Sequence, residues 1–181
     1  MATSTFYPDA DPETNSTDGR TQRSSVVESW ATITAGAGNT AFSTGTLRNL
    51  IREFTGANQW QTLSRNCILF YTDSIPDADT IHSATLSLYG SSKTDPLSIT
   101  PDSNIVSSNP ASNTDVVAAD FTTFGSTAFS TAITYSNFST TAYNDFVLNS
   151  SGLSNISKTG VSKFGWMNAN YDLAGSAPSH N

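Results

Sequence analysis

Apolar residues in this chain fall in short runs separated by turn residues, the spacing expected of strands in a β-rich domain. Thr3 to Tyr7 reads as a first strand, closed by Pro8-Asp9-Ala10-Asp11-Pro12 and a polar loop to Gly19. Ser25 to Thr34 reads as a second, with Val27, Trp30 and Ile33 set among polar residues, and Ala35 to Asn39 ends it. Leu47 to Phe54 is read as a strand although its apolar positions 47, 50, 51 and 54 suit a helical stripe better. Gln61 to Thr72 carries a continuous apolar run from Cys67 to Tyr71, the mark of a central strand covered on both faces. After the loop Ser74 to Asp79, Ile81 to Leu88 alternates, sending Ala84, Leu86 and Leu88 to one face, and Tyr89 breaks the pattern.

The stretch from Gly90 to Thr114 is rich in Ser, Asn, Asp and Pro and reads as an elaborated surface connection, with strands at Leu97 to Ile99 and Ile105 to Ser108. Further strands are predicted at Thr131 to Tyr135, Asp145 to Leu148 and Val161 to Ala169. Leu153 and Ile156, three apart with Gly160 behind them, predict one short helix over Ser151 to Lys158. Some nine strands and one helix without βαβ alternation predict an all-β fold. The expected form is an antiparallel β-sandwich, a jelly roll, in a single domain over residues 1–181.

Composition narrows the setting. Charged residues are 13% of the chain against a usual ~25%, and Ser and Thr are roughly three residues in ten, so the surface is neutral and hydroxyl-rich. That composition suits β proteins displayed outside cells or on particle surfaces. A net charge of −7 with only scattered basic residues, the closest being Arg20 with Arg23 and Arg48 with Arg52, argues against a nucleic-acid partner. No run approaches the ~20 apolar residues of a membrane-spanning helix, and the Met1 to Asp9 stretch has neither the basic nor the apolar region of a secretory signal.

The segment Ile68 to Tyr89, with Asp73-Ser74-Ile75-Pro76 leading into the alternating strand, resembles the signature of DNRLRE-type domains. This is a jelly-roll family akin to carbohydrate-binding modules, found in secreted and phage-associated surface proteins. Tyr143 to Gly165, including Gly152 to Gly160, resembles the later strand-helix-strand part of that family. The resemblance implies a further closing strand where this chain instead reads Ser176-Ala177-Pro178-Ser179-His180-Asn181. An incomplete sheet exposes unpaired backbone groups, so the expected partner is a second copy or a neighbouring structural protein that covers the edge.

Candidate chemistry is sparse. Cys67 lies inside an apolar run and reads as a buried hydrophobe, and His82 and His180 have no companions at metal-ligand spacing. Asp9, Asp11, Glu13 and Asp18 crowd one loop and form the set a structural calcium ion would use. They lack the downstream glutamate of an EF-hand, and a solvated turn is the competing reading. No other cofactor is expected. Trp60, with Asn58 and Gln59 in a polar loop, is the expected sugar-binding aromatic, whereas Trp30 and Trp166 sit in predicted strands and read as core. The expected function is therefore a non-catalytic structural or attachment component of an extracellular or virion assembly, such as a phage decoration or fibre protein. The alternative is a carbohydrate-binding module of a larger secreted protein.

Overall fold

The computed structural model describes residues 3–55 and 58–179. Among these, eight strands carry the fold: β1 Asp18–Arg23, β2 Thr40–Phe42, β3 Ile51–Glu53, β4 Trp60–Tyr71, β5 Thr85–Tyr89, β6 Ser103–Ser107, β7 Tyr143–Val147 and β8 Val161–Asn168. A six-stranded sheet runs in the order β2-β1-β4-β8-β6, with β3 pairing the start of β4, and β5 and β7 form a separate pair. Every pairing is antiparallel, so the fold is all-β in its sheets.

The continuous apolar run in β4 follows from its position. Thr62 to Leu69 are all buried, because β1 flanks the strand on one edge, β8 on the other, and both faces are covered. Ile68 and Phe70 point to a core shared with Leu86, Leu88, Phe146 and Leu148 of the β5–β7 pair and with Ile105, Phe164 and Trp166. On the opposite face Cys67 and Leu69 pack with Val116, while Leu63 and Trp60 pack with Trp30, Ile33 and Phe121. The alternation predicted for Ala84, Leu86 and Leu88 is observed, with all three in or against the first of these cores.

Four predicted strands are absent or largely lost, and a fifth, Leu47 to Phe54, shrinks to the three residues of β3. Residues 3–17 follow an irregular path, so Thr3 to Tyr7 forms no strand. Leu97 to Ile99 forms none either, and Thr131 to Tyr135 contributes only the bridge of Ile133 to Ser103. The second half of Ser25 to Thr34 is replaced by helix α1, Trp30–Ala35. The three-residue spacing of Trp30 and Ile33 puts both on one side of a helical turn, where they bury against β4, and the Ser29 hydroxyl caps the turn by accepting from Thr32 N–H at 3.3 Å. The described residues thus hold two short α-helices, since the first half of the predicted one also forms, as α2 over Ser150–Ser154. A 3₁₀ turn at Ala118–Thr122 and a π-helical turn at Ala169–Leu173 complete the regular structure.

The sheet edges differ in how they end. The outer edge of β6 is closed by the following loop: Phe129 N–H donates to Ile105 C=O, Gly125 N–H to Ser107 C=O, and Ser103 and Ile133 exchange both bonds. The β5–β7 pair has no such cover. Leu148 N–H bonds Ala84 C=O at one end and Gly90 N–H bonds Ala142 C=O at the other. With the register between them, this phase turns the N–H and C=O groups of residues 85, 87 and 89, and of 143, 145 and 147, away from the partner strand. None of those outward groups bonds another among the described residues.

Candidate functional site

The early acidic loop satisfies its own charges. Asp9 accepts from the Thr14 hydroxyl at 2.7 Å, from Asn15 N–H at 2.7 Å and from the Ser16 hydroxyl at 3.2 Å. These bonds, led by that of the Thr14 hydroxyl, hold its carboxyl down to about 2. Glu13 accepts from the Thr17 hydroxyl, and Asp18 is drawn into β1, where burial and then the nearby Glu13 raise its carboxyl. Asp9, Asp11, Glu13 and Asp18 do not converge: among the described residues no group of three or more His, Cys, Asp or Glu side chains is placed to hold a metal ion.

Trp60 is also elsewhere than expected. It opens β4 and is 1% exposed, with its ring 5.1 Å edge-on from that of Trp30, so it has no free face for a sugar. Asn58 and Gln59 are exposed beside it, Asn58 with φ of 58°, while the neighbouring loop residues 56 and 57 lie outside the described residues. Helix α1, which the sequence disguised as a strand, is what buries this indole. Cys67 is fully buried, and that burial pushes its thiol up to about 12, leaving no thiolate at neutral pH. His82 is exposed, and His180 lies outside the described residues.

Two cavities among the described residues bear on function. The smaller, about 120 Å³, borders Arg65 and Asp172. Those two form a buried pair with contacts of 2.7 Å from Arg65 Nε and Nη2, and Arg65 also donates to the Phe121 and Thr34 carbonyls. The pair neutralises itself and spans β4 and the chain's last turn, a structural lock.

The larger cavity, about 310 Å³, lies along β5 and is lined by Thr46, Leu47, Ser87 to Ser92, Phe138 and Trp166. Its size is at the small end of ligand pockets, which run about 300–1,000 Å³. Trp166 comes from β8, and Phe138 stacks on it with ring centres 6.0 Å apart and planes 11° from parallel. No carboxylate, amine, guanidinium or imidazole lines this space. Its polar lining comes from Thr46, Ser91 and Ser92, the backbone of β5 and the Trp166 indole, since the Ser87 hydroxyl is taken up by Asp145 Oδ1 at 2.6 Å and that of Tyr89 by Thr141 C=O. Trp166 is only 8% exposed, and its Nε1–H has no hydrogen-bond partner among the described residues.

Each wall is braced from behind. Lys93 Nζ donates to the carbonyls of Tyr135, Ser136 and Phe138, tying down the loop that carries Phe138. Asn144 accepts from Ser139 N–H at 2.7 Å and donates to Leu88 C=O at 3.2 Å, joining that loop to β5. The Tyr89 hydroxyl donates to Thr141 C=O at 3.0 Å. Opposite, Arg20 donates to Thr46 C=O and its guanidinium sits 3.9 Å from the Phe42 ring centre. At Gly90 a Cβ would meet Ser139 O at 1.9 Å, so the cavity rim admits no side chain there.

Sequence reasoning missed this site because Trp166 reads as core and Phe138 lies in a polar loop. One signal was present. Tyr89 interrupts the alternation of its strand as an aromatic at an outward position, and it is 61% exposed. The chain matches no family model, no curated protein and no solved structure in comparison.

Proposed function

We propose that this protein is a non-catalytic structural or attachment component of an extracellular or virion assembly. In this reading it is a jelly roll related to DNRLRE-type domains, and a second copy completes its short sheet. The observation that carries the reading is the open β5–β7 pair, whose outward backbone groups find no partner among the described residues. On β7 that edge is flanked by Tyr143, 64% exposed, and Val147, 65% exposed, which are unusual residues to leave in water.

The occupant we assign to the β7 edge is Thr3 to Tyr7 of a second copy. This segment has strand patterning, matches β7 in length, and makes no hydrogen bond among the described residues. Tyr7 is 75% exposed. Strand addition would give both partners the backbone bonds they lack.

The test is light scattering on the intact chain at micromolar concentration, alongside a Thr5→Pro variant. Proline removes a donor from the added strand but touches nothing paired within one chain. The expected result is a defined oligomer that Thr5→Pro dissociates into a chain that keeps the circular dichroism of the fold. A compact monomer of the unaltered chain would overturn the assembly reading, and an oligomer indifferent to Thr5→Pro would overturn the assignment of residues 3–7.

A further inference from the structure

The geometry points to the β5 cavity as a binding site for one neutral sugar unit of a glycan. This rests on the attachment reading, since it names what the assembly would attach to.

The lining selects the class of ligand. With no ionised side chain in the wall, the space gives neither an anion nor a cation the pairing that burial of a charge requires. A purely apolar ligand would strand the hydroxyls and leave the Trp166 Nε1–H still without a partner. A sugar ring answers both halves of the wall. Its C–H face packs on an aromatic or aliphatic surface such as that of Trp166, Phe138, Leu47 and Leu88. Its hydroxyls exchange bonds with Ser91, Ser92 and Thr46 and with the outward backbone groups of Ser87 and Tyr89.

Preorganisation adds to the argument. Lys93, Asn144 and Arg20 hold three different wall segments through hydrogen bonds to backbone, so the shape exists before any ligand arrives. The two open edges are then divided: β7 presents a free outer edge to a neighbouring strand, whereas β5 is recessed above this aromatic floor.

The experiment is an amide and indole NMR titration of the ¹⁵N-labelled chain. The probes are the methyl glycosides of glucose, galactose, mannose and fucose, with N-acetylglucosamine, N-acetylgalactosamine and glucuronate alongside. The Trp166 indole signal is assigned by its loss in Trp166→Phe. At least one neutral sugar is expected to shift that signal saturably in the millimolar range, together with the amides of Leu88, Tyr89 and Gly90. Glucuronate should bind at least tenfold more weakly. Leu47→Trp, which fills the space from the opposite wall and leaves Trp166 in place, should weaken binding at least tenfold while the remaining signals report an intact fold.

Absence of shifts with every neutral sugar at tens of millimolar would overturn the proposal, and so would equal shifts with glucuronate or shifts that survive Leu47→Trp. Dissociation of the oligomer by Leu47→Trp, with no sugar effect, would also overturn it and mark the cavity as part of a protein interface. Light scattering reads the assembly separately, so a failed sugar titration on an intact oligomer removes this inference alone.

Discussion

Arg65 and Asp172 show how one buried pair can fix distant parts of the chain. Arg65 sits in β4, Asp172 in the last turn, and the guanidinium also bonds two carbonyls from other segments. Removing the carboxylate leaves a buried cation unpaired, so Asp172→Ala should cost about 3–5 kcal/mol in urea unfolding. Asp18 behaves in the opposite sense. Burial and Glu13 raise its carboxyl above the ordinary 3.8, so its ionised form is penalised in the folded chain and the penalty grows as pH rises past 3.8. Asp18→Asn should therefore raise the melting temperature at neutral pH and lose that advantage in acid. Asp9 has the usual sign. Its carboxyl is depressed to about 2, so the stability it gives its loop is complete above 3.8 and is lost as pH falls through 2, which a carbon-detected titration of that carboxyl would follow. At this scale the sequence was informative where the neighbours in sequence decide the outcome, as for Cys67 in its apolar run. It misled for Trp60, whose burial depends on a ring thirty residues earlier.

Elements were legible in proportion to how far their own pattern determines them. The apolar run of β4 and the alternation of β5 matched the structure, because burial on two faces and on one face leave different periods, whereas the helix expected from the Leu153–Ile156 spacing forms only over Ser150–Ser154 and ends before Ile156. Helix α1 was misread because its only apolar anchors are Trp30 and Ile33, too few to separate a helical period from an imperfect strand. Its stability comes from packing on β4 more than from propensity, since Thr32 and Thr34 are poor helix formers. Ile33, fully buried, is therefore the sensitive position. Ile33→Ala should cost about 2–5 kcal/mol, while Ser29→Ala, which removes only the cap, should cost about 1 kcal/mol. Chemical denaturation of the two variants side by side separates packing from capping. The β5 cavity escaped prediction for a related reason: its lining comes from β5, β8 and two loops, and no single period in the sequence joins them.

At the level of the molecule, an all-β fold with antiparallel sheets followed from strand spacing and composition, whereas strand order did not, because β4 pairs with β1 and β8 across long intervals. Replacing the exposed Val147 by Lys places a charge on the open β7 edge, the device by which native edges resist pairing. Val147→Lys should leave the melting temperature within about 0.5 kcal/mol of stability and shift the light-scattering mass towards the monomer. The pairing of β4 with β8 also bears on how the chain is made. When Tyr71 leaves the ribosome, its partner Val161 follows roughly ninety residues behind it. At about 5–20 residues per second the most apolar strand of the protein waits some 5–20 s for its neighbour. Through that interval Cys67 to Leu69 can pair only with β1 on one edge, so the opposite edge of this apolar stretch is the part of the nascent chain most open to mispairing.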